Sequence, residues 1–438
     1  MVVLKKCDPA LRIQCLDNPL YRRSMVRFTA MTPLKILHVL GQRPEMTGSG
    51  FYLEAIMRES EKFGYSTYLV AGVPLNTRDS AKYRPRDTGT YVFFESAGLD
   101  FRVPGMSDVM PYRSSLFKDL KGRRLTAYKA AFTDALAAAV SRFDPDLIHT
   151  NHLFLVSALV RRQFPNLPVV ATCHGTELRQ YENCPHLRAF VGRHCRSLDK
   201  VIALTGDQKK DIGRVYGIPP QKIVVIGGGY DQTVFFRAPK SVAGTVHLLY
   251  AGKINRSKGV PWLLRSLFKI RHHDWHLHLA GGGSGPEFDT CLDLAAKLGP
   301  KVTHHGYVSH PRLSELMQKA HIQVLPSFFE GLPLALFEGL ASGCRIISTN
   351  LSGFDEIFGG ADKDTVHLIP LPPLETIDRP YRKDEPGLED ALCESILRMM
   401  AAVKKSPGVD DPRAEEIASD YTWPRVFDRT RSVYKALR

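Results

Sequence analysis

Short apolar, β-branched runs alternate with amphipathic segments along most of the chain. In the first half, KILHVL (35–40), STYLVA (66–71), DLIHT (146–150), PVVATC (168–173), KVIALT from Lys200 and KIVVIG (222–227) read as strands buried on both faces. Between several of them, stretches such as GFYLEAIMRESEKFG and AAFTDALAAAVSRF read as helices. Near 236–245, FRAPKSVAGT loses the pattern and reads as a linker. The alternation restarts with VHLLYAG (246–252), WHLHLAG (275–281), KVTHHG (301–306), HIQVLPS (321–327), RIIST (345–349) and TVHLIP (365–370). Strands apolar on both faces and joined by helices imply a parallel sheet covered on both sides, here in two doubly wound α/β halves. Ligands of such sheets sit beyond the carboxyl ends of the strands, so two facing halves place a site in the cleft between them.

The pattern also divides the chain. Residues 1–32 stand outside it: they are basic, lack periodicity, and precede MTPLKILHVLG, which looks like a beginning. They read as a loosely ordered tail, or as the product of an upstream start codon with Met25 or Met31 as the true one. A first Rossmann-like domain is expected over 33–237 and a second over 238–415. At 416–438 a Pro-opened helix within YTWPRVFDRTRSVYKAL is expected to cross back to the first domain.

Composition changes this picture little. Of 438 residues, 44% are hydrophobic and 24% charged, an ordinary globular profile. The eight cysteines form no CxxC pair and, without a secretory signal, imply a reducing cytosol. No apolar run approaches the roughly 18 residues that span a membrane. Charge says more. A net +14 calls for an anionic partner, for which nucleotide phosphates, acidic lipid and nucleic acid all qualify. Seven basic residues of 101–130 (Arg102, Arg113, Lys118, Lys121, Arg123, Arg124, Lys129) face two acids, Asp108 and Asp119. They form either a solvated helix face or an anion contact. No nucleic-acid recognition module or aromatic-plus-basic platform accompanies them, so nucleic acid is not the expected partner. Cys173, His174, Cys184, His186, His194 and Cys195 lack the spacing of a structural zinc site. Asp144-Pro-Asp146 has the spacing of a metal-binding carboxylate pair but precedes a strand, which makes it turn chemistry.

The chemistry concentrates in SFFEGLPLALFEGLASG. Proline favours the first helical position, so a helix is expected from near Pro333. Glu330 then lies in the strand-to-helix loop and Glu338 about 7 Å along the helix axis. A helix N-terminus attracts a diphosphate, and carboxylates are acceptors suited to vicinal diols. The spacing fits a nucleoside diphosphate sugar. Lys253 and Lys258 flank the loop of YAGKINRSKGV and can hold a diphosphate leaving group by fixed charge, without a metal. In LAGGGSGPEF, Gly281, Gly282 and Gly283 permit close backbone approach to a ligand. Pro286 stands where a dinucleotide fingerprint has its third glycine. In the first half, Gly48, Ser49 and Gly50 form a strand-to-helix turn, and His174 follows a strand end. A lone histidine is more often structural, but this one is at the ligand edge.

Glu330-x7-Glu338, GKINRSKG, AGGGSGP, HGYV (305–308), HGTE (174–177) and the glycine turn at 48–50 together resemble glycosyltransferase family 4, in that family's order, over about residues 34–437. The resemblance implies a GT-B architecture of two facing Rossmann-like domains. It implies retaining transfer from a nucleoside diphosphate sugar, UDP favoured over GDP, to a glycan, lipid-linked or other hydroxyl acceptor, with no metal or other cofactor. Glu338 would bind the ribose. Glu330 would contact the donor sugar, joined by backbone at Gly331, Leu332 and Leu334. Lys258 would bind the diphosphate, assisted by Lys253, which stands where the family usually has arginine and loses its bidentate fork. Val308 would contact the base, Gly282 the donor, His174 the donor sugar, and Gly48 and Gly50 the phosphates. Relatives of this kind also imply a cytoplasmic enzyme that visits the inner face of an anionic membrane through the basic cluster, in a peripheral and salt-sensitive way. A sugar-nucleotide 2-epimerase shares the architecture and is the nearest rival; acceptor-free release of sugar and UDP would mark it.

Overall fold

The computed structural model describes residues 33–45, 47–75, 88–107, 110–241, 244–376 and 378–438. The expected N-terminal extension, 1–32, lies outside the described residues.

Seven parallel strands form the first sheet: β1 (Lys35–Leu40), β2 (Ser66–Pro74), β3 (Gly89–Phe94), β4 (Leu147–Asn151), β5 (Val169–Thr172), β6 (Lys200–Ala203) and β7 (Ile223–Val225), in spatial order β3-β2-β1-β4-β5-β6-β7. Six parallel strands form the second: β8 (Val246–Ala251), β9 (Trp275–Ala280), β10 (Val302–Gly306), β11 (Ile322–Leu325), β12 (Arg345–Thr349) and β13 (Val366–Ile369), in order β10-β9-β8-β11-β12-β13. Each sheet therefore reverses its strand order once, between β1 and β4 and between β8 and β11. Ile36 lies opposite Thr67 on one side and Leu147 on the other; Leu248 lies between Leu277 and Ile322. Above each reversal the neighbouring connections diverge to opposite faces and leave a crevice. The architecture is GT-B.

Each sheet has its own core. Leu37, Val39, Val70, Ile148, Val169 and Val201 pack with Phe94, Tyr128 and Phe132 in the first. Leu248, Leu277, Val324, Ile346 and Phe337 centre the second. Strand β3 was not apparent from the sequence pattern. It pairs only with β2, at the sheet's edge, and its alternating exposure breaks the apolar run that marks the inner strands.

The connections are tied down by specific groups. Asp144 ends the helix Gly122–Phe143 in a left-handed conformation (φ 51°), and the Asp146 carboxylate accepts the Lys35 amide at 2.8 Å. Both aspartates thus serve a turn. In the linker, Lys240 donates to the carbonyls of Met317, Gln318 and Ala320 and so closes the carboxyl end of the helix His310–Lys319. The last helix, Trp423–Ala436, packs on the helix Gly48–Lys62 of the first half. Its Tyr434 hydroxyl is 2.6 Å from His149 Nδ1 within the first sheet. Tyr230 exchanges backbone hydrogen bonds with Tyr421 and Trp423, so the chain crosses between the halves twice, side by side.

Candidate active site

Because all strands of each sheet are parallel, every strand-end loop of a half emerges on one edge. In the second half these loops carry Lys253 and Lys258 after β8, Gly281–Gly283 after β9, Tyr307–Val308 after β10, and Ser327–Glu330 after β11. Helix Leu334–Ala341 follows, with Glu338 as its fifth residue. The Glu330 loop and the lysine loop touch through Gly259. Its φ of +71° suits glycine, and a Cβ there would lie 1.9 Å from the Pro326 carbonyl.

That contact brings two expected site residues together. Lys258 Nζ is 2.7 Å from Glu330 Oε2 and donates to the Phe329 carbonyl at 2.9 Å. Ser327 Oγ donates to Glu330 Oε1 at 2.8 Å, and Thr349 from the next strand end holds the Ser327 carbonyl. Burial and the charge of Lys258 push Lys253 down to about 8, against the pull of Glu330. Two lysines and one carboxylate thus lie together, partly buried, in loops at the ligand edge of the second sheet.

Glu338 is buried, at 8% exposure. No hydrogen bond or ion pair reaches its carboxylate among the described residues, and burial pushes it up to about 8. Its neighbour Gly339 packs so close to the sheet that a Cβ would sit 1.7 Å from Gln323 Oε1. A buried carboxyl with no protein partner keeps its whole hydrogen-bonding capacity for a ligand.

The glycines expected to approach a ligand also lie close to protein. A Cβ on Gly281 would meet the Gly252 carbonyl at 1.8 Å, one on Gly282 the Tyr307 ring at 2.5 Å, and one on Gly283 the Ile254 carbonyl at 2.7 Å. Their visible role is to press three strand-end loops together, with Gly281 N donating to Gly306 O and Ile254 N to Gly282 O. Val308 packs its side chain on the core beside this junction. Leu332 and Leu334 lie against Gly228 of the crossing segment.

In the first half, Gly48 begins the helix Gly48–Lys62, whose cap Thr47 accepts the Gly50 amide at 3.0 Å. The space beside Gly50 is taken by the Pro44 carbonyl, whereas nothing lies within 4 Å of a Cβ built on Gly48. His174 follows β5. Its Nε2 is 3.0 Å from Asn151 Oδ1, its amide donates to Glu177 Oε1 at 2.8 Å, and its ring stands edge-on to Tyr52 at 5.1 Å. Burial and the neighbouring His152 push it down to about 3, so the ring is neutral. With Nε2–H given to the Asn151 carbonyl oxygen, Nδ1 is the ring's acceptor.

The two edges meet at glycines. A Cβ on Gly331 would lie 2.4 Å from the His174 carbonyl, and one on Gly175 (φ +100°) 3.2 Å from the Gly331 Cα. The HG of the first half and the EG of the second touch because neither glycine has a side chain. The loop that carries His174 thereby meets the loop that carries Glu330. The residues missed from sequence are Asn151, His152 and Glu177, which with Ser49 of the glycine turn tie the first-half loops to one another; Glu177 lies inside the HGTE stretch, and His152 stands one residue past a strand end. The cysteines and histidines of 173–195 do not gather as ligands: among the described residues no group of three or more His, Cys, Asp or Glu could hold a metal ion.

Residues 103–234 match the family described as Glycosyltransferase Family 4, and residues 245–372 match Glycosyl transferases group 1. The chain is 27% identical over 306 residues to a glycogen synthase of Mycobacterium tuberculosis, covering 67% of this chain and 69% of that one. Among solved structures it resembles sucrose-phosphate synthase from Thermosynechococcus elongatus, with a TM-score of 0.69 at 18% identity over 92% of this chain and 99% of that chain. It also resembles Anabaena HepE in complex with UDP and glucose, with a TM-score of 0.63 at 16% identity, again over 92% and 99%.

Proposed function

The chain is a glycosyltransferase of the family 4 kind, and from that premise we propose that it transfers a sugar from a UDP-sugar to a hydroxyl acceptor, with retention of the anomeric configuration and without a metal. The observation that carries this reading is the Lys258–Glu330 pair set at the N-terminus of the helix that buries Glu338. Lys258, Lys253 and the free amides of that helix offer fixed positive charge to a leaving diphosphate. Glu330 faces the donor sugar, where positive charge develops as the glycosidic bond breaks. Glu338 takes the ribose hydroxyls from inside the helix. His174 Nδ1 accepts from a hydroxyl of the sugar on the opposite wall. The acceptor attacks on the face the diphosphate leaves, and a diphosphate oxygen takes its proton. UDP is favoured over GDP because HepE, a neighbour in fold, holds UDP in its solved complex.

The test is a thermal-shift panel of UDP-, GDP- and ADP-sugars run in EDTA, since a ligand of the folded state raises its melting temperature. We expect the UDP-sugars to give the largest shift and turnover to survive the chelator, with a retained anomeric signal in the product. Loss of activity in EDTA that Mn²⁺ or Mg²⁺ restores would remove the fixed-charge mechanism.

The acceptor side of this reading includes a membrane. Lys118, Lys121 and Arg123 are exposed at the start of helix Gly122–Phe143, whereas Arg102 and Arg124 each have an acid within 4 Å (Glu95 at 3.8 Å and Asp100 at 3.9 Å). No helix among the described residues is long and apolar enough to cross a membrane. Peripheral contact with the anionic inner leaflet is therefore expected, each basic side chain contributing on the order of 1 kcal/mol. Vesicle flotation should recover the protein with anionic lipid at low salt and not with neutral lipid. Equal recovery, or no change when Lys118, Lys121, Arg123 and Arg124 become serine, would make the cluster an ordinary solvated face.

A further inference from the structure

We propose that Glu177, His152 and Ser49 form a buried positioning relay that holds three strand-end loops of the first half, and His174 with them, in the geometry transfer requires. The proposal rests on the reading of the cleft as the donor site.

Three side chains line up in one direction. Glu177 is wholly buried in the first turn of the helix Thr176–Asn183. Its Oε1 accepts the amides of His174 at 2.8 Å and Leu153 at 3.2 Å, and lies 3.3 Å from His152 Nδ1. Burial alone would raise this carboxyl, but the His152 ring and the His174 amide outweigh it and hold it down at about 2, so Glu177 is an anion. An anion beside Nδ1 favours a proton on that nitrogen. Ser49 Oγ lies within hydrogen-bonding distance of Nε2, at 3.0 Å. Ser49 in turn receives Gln42 Nε2 at 3.1 Å and lies 3.2 Å from Thr47 Oγ1, the cap of helix Gly48–Lys62. Hydrogen bonds run from His152 Nε2 through Ser49 to the glycine turn, and the Glu177 carboxylate stands at ion-pair distance from Nδ1 without an aligned hydrogen bond.

The connection is structural in an unusual way. His152 has φ +71°, a left-handed conformation that side-chain-bearing residues seldom adopt. Such strain persists where surrounding contacts over-determine it, and here the Nε2 contact with Ser49 and the Glu177 bond to the next amide do so. The loops after β1, β4 and β5 belong to adjacent strands, and each contributes one member: Ser49, His152 and Glu177. The atoms follow the order of a serine–histidine–acid relay. Ser49 is buried, however, and its oxygen is already engaged by Gln42 and Thr47, so its role is to hold and not to attack. What the relay holds is His174, whose amide is bound to Glu177 and whose ring packs on His152 at 4.9 Å. A small displacement of a group against the reacting centre costs rate far more than it costs binding.

The test uses Ser49→Ala, His152→Asn (asparagine tolerates the left-handed backbone) and Glu177→Gln in the full chain. Turnover is read as UDP release from the UDP-sugar the panel selects, and nucleotide affinity by calorimetry with UDP. We expect kcat to fall about 10-fold or more in each, as with other groups that orient a ligand-contacting residue. UDP affinity should fall far less than kcat, because the lysines and the carboxylate read as holding UDP lie in the second half. Parent-like kcat in a folded Ser49→Ala or His152→Asn variant would overturn the relay. So would a loss of kcat matched by equal losses of UDP affinity and melting temperature, which would make the three residues packing alone. If Glu177→Gln does not fold, the other two decide. Failure of the cleft reading itself would appear elsewhere, as unchanged UDP affinity in Glu338→Gln.

Discussion

Replacing Glu330 by glutamine is expected to lower turnover by about three orders of magnitude while nucleotide affinity changes by no more than about twofold. The carboxylate is held from two sides, by Ser327 Oγ at 2.8 Å and Lys258 Nζ at 2.7 Å, so its position does not depend on the ligand. As the glycosidic bond breaks, positive charge grows on the sugar and negative charge on the diphosphate. An anchored anion and an anchored cation side by side match those two charges better in the transition state than in the bound donor, and only that difference accelerates the reaction. Glutamine keeps the shape and the Ser327 hydrogen bond but removes the anion. Hence kcat and kcat/KM fall together. Lys258→Ala behaves differently: it removes attraction for the diphosphate in both states and leaves Glu330 without its cation, so donor affinity falls along with turnover. Steady-state rates and UDP calorimetry on the two variants separate these effects. Parent-like kcat in Glu330→Gln would remove Glu330 from the chemistry.

Glu338→Gln is expected to weaken UDP binding about 100-fold and yet to make the unliganded protein more stable above neutral pH. Two charge-assisted hydrogen bonds to a ribose diol become neutral ones about half as strong, a loss of roughly 3 kcal/mol. Stability moves the other way. Burial raises the Glu338 carboxyl from 4.5 to about 8, so the folded state favours the protonated form. The stability this contributes is fully present below the unfolded value and is lost as pH rises toward about 8, a change on the order of a few kcal/mol. Glutamine never ionises, so the variant's advantage in melting temperature should widen from pH 5 to pH 8. Binding adds a second signature. The parent's affinity should rise as Glu338 ionises toward pH 8, then fall as Lys253, held down at about 8, loses its proton and its attraction for the diphosphate. Calorimetry with UDP from acid to alkaline pH should give a bell for the parent and only the falling limb for Glu338→Gln. A parent profile without an acid limb would take Glu338 out of the nucleotide site.

The second-half candidate site was legible because its members lie close along the chain. Glu330, Pro333 and Glu338 belong to one strand–loop–helix, and Lys253 and Lys258 to one loop, so spacing and local propensity place them without any knowledge of the sheet. The inner strands were legible for a similar reason: a strand covered on both faces has its burial written into its own composition, as in the wholly buried β12. Edge strand β3 is covered less evenly, and its pattern is correspondingly mixed. The loop glycines show the limit of this reasoning. Gly281 to Gly283 announce a close approach, but sequence does not say by what, and the approaching groups are Gly252, Tyr307 and Ile254.

The sequence by itself determined the α/β class, the two doubly wound halves, and the carboxylates and lysines of the second-half loops, because each depends on residues within a few turns of one another. Only the tertiary structure decided that Lys258 pairs with Glu330, that HG and EG touch across the cleft, and that Ser49 meets His152, a partner 103 residues away. Those contacts follow from the sheet order β1-β4-β5 and from how the two sheet edges face. Strand order is set by which long-range pairings bury the most apolar surface together, a property of the whole chain that no local stretch records.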